Sequence, residues 1–423
     1  MTQLRPVRGT HDLLGEELRR HRKVAKEAQS TAALYGFEEI ATPIFEFVDV
    51  FKRTLGDVSD VVTKEMYAFT DRGGESLVLR PENTAAVVRA MLTNGLTQTL
   101  PQKLFYYGPM FRYERPQKGR QRQFHQIGVE LIGAPEPEAD IECIALGHHI
   151  LTRLGLGDVV SLELNTLGNP ESRKAYRTAL VSYLSGFKDK LSSESLERLE
   201  RNPLRILDSK DPEDRQIVDG APIVLDYLNP ESRSFFEKVK EGLHQLGLPY
   251  TLNPRLVRGL DYYNHTAFEF VTSALGSQGT VMGGGRYDGL MRVMGGPDIP
   301  GVGWAAGVER LAMLLADVAA ATRPVALIPI GERAEGAASV VAAELRHAGI
   351  AVELAYKGKP AARLKKADKA NAGIAIFLGD DELDKNVARL KNLDDGVEEE
   401  MALSQLVEQL LARGLGSLDR SSP

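Results

Sequence analysis

The sequence predicts an α+β protein: a mostly antiparallel sheet domain carrying a helical insertion, followed by a small α/β domain. Three observations lead there. Strand-like runs in the first 135 residues and again after residue 265 fall in hairpins with few helical crossovers, a pattern of antiparallel pairing. Residues 170–255 are polar and helical in pattern, punctuated by Asn169-Pro, Asn202-Pro, Asp211-Pro and Asn229-Pro. From Pro324 the texture changes to strand–helix alternation with apolar, buried-type strands. The boundaries expected are 1–168 and 254–322 for two halves of one sheet domain, 169–253 for the insertion, 323–412 for the α/β domain and 413–423 for a tail.

The elements follow in order. Residues 12–35 have helical spacing, with Asp12 as a cap. Gly36–Ile44 reads as a strand that Pro43 confines to an edge or a bend. Further strands are expected at 76–80, 104–111, 123–132, 160–164, 266–271 and 279–283, and helices at 83–94, 136–154 and 304–320. In the last domain, strands at 325–330, 351–355 and 373–378 alternate with helices at 334–348 and 360–371, which predicts a largely parallel sheet.

Composition narrows the function. At 423 residues the chain has room for about three domains of roughly 150 residues. Its one cysteine, Cys143, excludes an internal disulfide framework and a thiolate zinc cluster. None of the eight histidines stands in a metal-ligand spacing with another, so no metal is expected on Cys or His. There is no signal-peptide core, and no apolar run approaches the ~18 residues of a membrane span, so a cytoplasmic protein without a membrane partner is expected.

Charge is distributed unevenly. The net charge is −6, yet Arg112–Arg122 holds five basic residues against one acid. A cationic loop inside an acidic chain is suited to a polyanion, because whole-chain attraction cannot supply the affinity. Its flanks, Leu104–Phe111 and Gln123–Ile132, make it the tip of a long hairpin. A solvated charged loop is the simpler alternative.

Four stretches carry chemistry. In Leu79-Arg-Pro-Glu-Asn-Thr-Ala85, Glu82 and Thr84 stand at a helix mouth, where they either cap the helix or grip a ligand ammonium. In the hairpin, Arg112 lies at a strand end, where its fixed fork can hold a phosphate and a carboxylate together. The third stretch joins Leu256-Val-Arg-Gly-Leu-Asp-Tyr-Tyr263 to Met282-Gly-Gly-Gly-Arg-Tyr-Asp288. Three successive glycines permit close backbone approach to a ligand, or form a flexible turn. Alternation predicts one phenol of Tyr262-Tyr263 in the core and the other at the cleft. In the fourth, Gly301-Val-Gly-Trp-Ala-Ala-Gly-Val-Glu-Arg310, small residues bring a helix close to a sheet and Arg310 emerges one turn after Gly307.

With these residues in view the chain resembles the class II aminoacyl-tRNA synthetases. Phe111-Arg-Tyr-Glu114 with its basic loop, and Gly301-x-Gly-x-x-x-Gly-x-Glu-Arg310, are similar to that class's motifs two and three, and Thr42-Pro43 to the motif one proline at its dimer interface. Val257–Tyr263 and Gly283–Asp288 resemble the two signature segments of the histidyl-tRNA synthetases of bacterial type. The match runs from about residue 5 to 412 and includes a C-terminal domain like the family's anticodon-binding one.

The resemblance implies ATP-dependent ligation of L-histidine to tRNA(His) through a histidyl-adenylate, with release of AMP and pyrophosphate, in a homodimer that uses Mg²⁺ with ATP. It assigns Arg112 and Arg258 to catalysis at the α-phosphate and the histidine carboxylate. Glu82, Asn83, Thr84 and Gln126 would hold the substrate backbone, and Glu130, Tyr262 and Tyr263 its imidazole. Glu114, Arg120, Phe124 and Arg310 would hold ATP. Arg115, Gln117 and Arg122 would meet the tRNA acceptor end, and the basic helix 361–369 would face either the anticodon stem or solvent.

Asn83 departs from the glycine common at its position. The rival is a non-catalytic, synthetase-like regulatory subunit of ATP phosphoribosyltransferase. It usually lacks the last domain and parts of the ATP motifs, which this chain carries in Arg112, Glu114, Arg258, Glu309 and Arg310. Arg258→His is expected to lower adenylate formation while histidine binding stays near normal; a pure binding defect would remove Arg258 from the chemical step.

Overall fold

The structure, a computed structural model, describes residues 3–55, 61–258, 262–276, 279–316, 318 and 320–416. Gly259, Leu260 and Asp261 of the first signature segment, and most of the expected tail, lie outside the described residues. The chain divides into two compact units, Met1–Val318 and Ala319–Pro423.

The first unit is built on an eight-stranded sheet. Its strands lie in the order Glu38–Glu39, Gln102–Phe111, Gln123–Ile132, Gly301–Gly307, Thr280–Arg286, Asn264–Val271, Ser161–Thr166 and Thr251–Leu252. The two short edge strands pair in parallel and the pairs between them are antiparallel. Pairing across the hairpin is continuous from Gln102↔Ile132 to Phe111↔Gln123, which holds the cationic loop beyond the sheet's end.

Alternation divides the sheet into two unlike faces. Ile127, Val129, Leu131, Val302, Trp304, Ala306, Phe268 and Phe270 face one way. They form a core with helices Gly15–Leu34, Pro137–Arg153 and Pro230–Gln245, through residues such as Val24, Ala28, Ile144, Leu151, Phe236 and Leu243. The intervening positions carry Gln126, Gly128, Glu130, Gly301, Gly303, Ala305, Gly283, Gly285, Ala267 and Glu269, a face nearly devoid of bulk.

The insertion comprises helices Pro170–Ser185, Ser193–Arg201, Pro212–Asp219 and Pro230–Gln245. Its Asn-Pro and Asp-Pro pairs are helix starts. Asn169 and Asn229 accept from the backbone N–H of Ser172 and Ser232 at 3.0 and 2.9 Å, and Asp211 from Glu213 at 2.9 Å, with proline at the first helical position.

Several expectations need correction. Residues 301–307, partly assigned to a helix over 304–320, are a strand, and the helix is only Val308–Leu314. Apolar spacing favoured the helix, but the alternation of Gly301, Gly303 and Ala305 with Val302, Trp304 and Ala306 decides for a central strand. Of the strand expected over 36–44 only Glu38–Glu39 forms, and Leu14 rather than Asp12 occupies the N-cap of the first helix. Strands Phe45–Phe47 and Tyr67–Thr70, which pair with Ser76–Leu79 in a small separate sheet, were not anticipated. No described helix is long and apolar enough to cross a membrane.

The second unit has a five-stranded sheet. Val352–Leu354, Val325–Ile330 and Ile374–Gly379 are parallel, as alternation predicts, but Val387–Asn392 and Glu398–Ala402 extend it as an antiparallel hairpin. The charged, half-exposed character of that hairpin hid it from a search for buried runs. Arg363, counted with the basic helix, is buried and bonded to Glu335 at 2.8 Å and to the Pro329 carbonyl at 2.7 Å, leaving Lys365, Lys366 and Lys369 exposed.

Arg286 is the largest buried charge in the first unit. With Asp140, both side chains fully buried, it forms a two-pronged ion pair, and it also bonds Asp288 at 3.1 Å and the carbonyls of Ala134 and Glu136. This ties helix Pro137–Arg153 to the end of a central strand. Asp140→Ala strands the guanidinium and is expected to cost about 3–5 kcal/mol in denaturant unfolding, whereas replacing both partners by apolar residues costs much less.

Candidate active site

The stripped sheet face floors a cleft with about 950 Å³ of empty space, part of it open to solvent. Glu82, Thr84, Arg112, Glu114, Arg120, Phe124, Gln126, Arg258, Tyr262, Tyr263 and Arg310 line it, so eleven residues from four distant stretches share one space. Glu269 and Thr280, which sequence reasoning did not single out, stand behind two of the arginines.

The glycines have a steric cause. A Cβ at Gly283 would lie 2.9 Å from Arg258 Cζ, while one at Gly285 would meet the Thr266 carbonyl before the Tyr263 ring, and one at Gly303 both the Glu130 carboxyl and the Val129 carbonyl. Real Cβ atoms essentially never approach so closely, so these positions are bare both for the neighbouring strands and for the polar side chains that lie on the sheet. The triple glycine is therefore not a loose turn but part of a paired central strand, and Gly283 both seats Arg258 and lines the cleft.

The arginines are held by carbonyls and carboxylates. Arg112 Nε donates to the Pro81 carbonyl at 2.9 Å, and its guanidinium stands 5.3 Å from the Phe124 ring centroid. Arg310 donates to the carbonyls of Thr280 and Gly119 at 2.6 and 3.3 Å, which links the last helix to the hairpin tip. Burial disfavours the Arg258 charge, but Glu269, paired with it, and neighbouring phenols outweigh burial and hold its pKa above the ordinary value. Arg120 and Glu114, assigned separate contacts with ATP, pair with each other.

The other end of the cleft is a web of hydroxyls around carboxyls. Glu82 accepts from the N–H groups of Thr84 and Ala85 at 2.6 and 3.0 Å, so it does cap the helix Thr84–Thr93 while also lining the cleft. Glu130 lies just beneath the lining, buried, and accepts from the hydroxyls of Thr84 at 2.7 Å, Tyr106 and Tyr287. Desolvation pushes the Glu130 pKa up to about 8 against the pull of Tyr287, Thr84 and Tyr106, with Glu82 adding to the rise. Desolvation likewise raises Glu82 from the ordinary carboxylate value. Tyr106 and Tyr287 were missed; Tyr287 sits in the quoted Gly283–Asp288 stretch, while a buried tyrosine on a hairpin strand carries no sequence signal.

Tyr262 and Tyr263 both line the cleft, their rings 4.7 Å apart, because they precede the strand Asn264–Val271 and escape its alternation. Asn83 does not line it. Its amide oxygen accepts from Thr42 at 2.7 Å and Arg80 at 3.2 Å, so its side chain secures the approach to the helix instead of an ammonium. Arg122 is also committed: it donates to the Glu114 carbonyl at 3.1 Å and stacks 3.8 Å from the Tyr113 ring centroid. Arg115 and Gln117 are exposed at the tip, where Gly119 turns the chain with a positive φ of 73°.

Sequence spacing showed no metal-ligand pair, yet folding brings ligand atoms of His21, His125 and Glu309 within 4.8 Å of one another. Both Glu309 oxygens accept from the His125 N–H, at 2.9 and 3.0 Å, and one lies 3.0 Å from its Nδ1. The carboxylate thus pins the helix that carries Arg310 to the strand that carries Phe124 and Gln126.

Among the described residues, Gln126 Oε1, Arg258 Nε and the Tyr262 hydroxyl are buried without a hydrogen-bond partner. Buried polar atoms are rarely left unpaired. Three in one cleft, beside four arginines, mark a site suited to a polar, anionic ligand.

Fold and cleft together define a class II aminoacyl-tRNA synthetase. The family model for histidyl-tRNA synthetase matches residues 9–311 and that for the anticodon binding domain residues 324–413. The histidine–tRNA ligase of Rhodospirillum rubrum is 60% identical over 98% of this chain and 100% of its own, and that of Gluconacetobacter diazotrophicus 58% identical over 97% and 99%. The apo histidyl-tRNA synthetase of S. aureus superimposes with a TM-score of 0.80 at 36% identity, covering 96% of this chain and 99% of that one. The chain belongs to the histidyl-tRNA synthetase family.

Glu130 binds its proton more tightly in the folded chain than in the unfolded one, where its value is near 4.5. Its ionisation therefore costs stability progressively as pH rises from about 4.5 through about 8, and no further above. Glu130→Gln cannot ionise, so its stability relative to the parent should improve between about pH 5 and about pH 9. Urea unfolding at both pH values checks this; a constant difference would show that Glu130 is already ionised.

Proposed function

We infer that this protein joins L-histidine to its tRNA at the expense of ATP, through a histidyl-adenylate, and that the cleft is where both steps occur. The observation that carries this reading is the convergence of Arg112, Arg258 and Arg310 on one space beside a carboxyl-and-phenol pocket. Attack of the histidine carboxylate on the α-phosphorus of ATP brings two anions together and expels pyrophosphate. Little covalent chemistry falls to the protein; positioning and charge stabilisation do most of the work.

In this reading Arg112 spans the carboxylate and the α-phosphate, and Arg258 approaches the same phosphate from the opposite wall. Phe124 and the Arg310 guanidinium enclose the adenine, Glu114 accepts from its amino group, and Arg310 and Arg120, the latter once it leaves Glu114, hold the γ-phosphate end. Glu82, Thr84 and Gln126 hold the ammonium. Glu130 and Tyr263 take the two imidazole nitrogens, with Tyr262 closing the pocket. A pocket that satisfies both nitrogens leaves its polar groups unpaired around an apolar rival, a discrimination on the order of 10⁴-fold that needs no editing site.

Mg²⁺ fits as a partner of the triphosphate, where it would neutralise phosphate charge. Glu82, Glu114 and Glu309 are each already engaged by protein donors, so the lining suits a metal held chiefly by phosphate oxygens. The exposed tip at Arg115 and Gln117 is available for the acceptor end of tRNA. Exposed Ile44, Phe45, Phe47 and Phe69 lie on the small sheet next to Thr42-Pro43, an apolar surface that supports a homodimer. The absence of a membrane-length helix among the described residues is compatible with a cytoplasmic enzyme.

The regulatory-subunit alternative is not favoured. The likeness to a Bacillus halodurans ATP phosphoribosyltransferase regulatory subunit/histidyl-tRNA synthetase, TM-score 0.65 at 21% identity, extends to the fold alone. Histidine-dependent exchange of pyrophosphate into ATP, with the other amino acids as controls, is expected and tests the assignment. Binding of histidine without exchange would favour the regulatory reading.

A further inference from the structure

Glu269 lies on strand Asn264–Val271 directly opposite Gly283, the bare position over which the Arg258 guanidinium rests. One Glu269 oxygen pairs with Arg258, and the other accepts from the Thr280 hydroxyl at 2.7 Å. Thr280 in turn accepts at its carbonyl from Arg310 at 2.6 Å, at a point where the pairing register shifts between Thr280 and Met282. A single chain of contacts therefore runs from Arg258 through Glu269 and Thr280 to Arg310.

We propose that Glu269 and Thr280 form a positioning unit that fixes Arg258 and Arg310 relative to each other, so that both are spaced for one triphosphate before ATP arrives. The proposal rests on the reading that these two arginines serve the ATP end of the reaction. Neither Glu269 nor Thr280 needs to touch the reacting atoms.

Three features favour positioning over mere packing. Glu269 is a charged, largely buried side chain whose two oxygens have different partners, so losing the charge and losing the hydroxyl are separable changes. Arg258 uses only Nη1 on Glu269 and keeps Nε unpartnered, so the pair leaves donors of the fork available for a phosphate. The ion pair also keeps a desolvated guanidinium from turning toward other acceptors, since a preorganised donor need not be reoriented during reaction.

The test uses the full-length protein, with kcat and KM for histidine and ATP measured by pyrophosphate exchange. Glu269→Gln preserves shape and should lower kcat by about 10- to 100-fold while the histidine KM stays within about threefold. Thr280→Val, which removes only the hydroxyl, should cost about tenfold, and Thr280→Ser should restore most of it. Because the two residues act in series, the E269Q/T280V double variant should be no slower than E269Q alone. Additive losses, equal rates for T280V and T280S, or a normal kcat in E269Q would each overturn the proposal. If E269Q does not fold, the Thr280 pair decides. A wild-type protein with no histidine-dependent exchange would overturn the reaction assignment instead; normal exchange in both wild type and E269Q sinks only the positioning unit.

Discussion

Everything in the catalytic unit depends on one face of the central sheet carrying almost no side-chain bulk. A sheet face normally gains its stability by packing large residues. Here Gly128, Gly283, Gly285, Gly303 and Ala305 occupy adjacent register positions, and the lost packing is offset on the opposite face, where Trp304, Phe268, Phe270 and Ile127 are almost fully buried beneath three helices. The vacated layer is one side chain deep. Arg258, Tyr263, Tyr106, Tyr287 and Glu130 lie flat within it. A Cβ added at Gly283 would collide with Arg258, and one at Gly303 with both the Glu130 carboxyl and the Val129 carbonyl of the neighbouring strand.

The second constraint is electrostatic. A cleft that collects arginines would repel itself and lose its shape unless each charge were held in place. Every arginine that lines it has a fixed acceptor: Pro81 carbonyl for Arg112, Glu269 for Arg258, Glu114 for Arg120, and the carbonyls of Thr280 and Gly119 for Arg310. Three of these acceptors are backbone atoms, which hold a guanidinium without cancelling its charge. Arg258 and Arg120 are each held by a carboxylate.

Much of this was legible in the sequence, for definite reasons. Strand 123–132 and its partner hairpin were readable because alternation and a polar tip coincide, and the insertion because Asn-Pro and Asp-Pro pairs are both punctuation and caps. The helix expected over 304–320 failed where two periodicities competed and burial on one face only resolved them. Site residues that announce themselves by charge, such as Arg112 or Arg310, were found. Those that act through a register position, such as Glu269, Thr280 and Tyr106, were not, since pairing across strands decides their role and no local pattern encodes it. Asn83 and Arg122 are the converse case: polar residues beside a motif whose side chains make internal contacts that no local pattern announces.

The carboxyl end of the cleft shows why a histidine pocket can be made from groups that look unsuited to a cation. Glu130 sits under a layer of hydroxyls, and burial, which raises its pKa to about 8, favours its neutral form. Imidazole has one nitrogen that accepts and one that donates, and a neutral carboxyl beside a phenol can meet both without importing a net charge. An apolar side chain of similar volume would offer nothing to the unpartnered Gln126 and Tyr262 atoms, whereas Glu130 keeps its hydroxyl donors either way. On the proposed reading selectivity would follow from burying a carboxyl, the same burial that makes the folded state sensitive to pH.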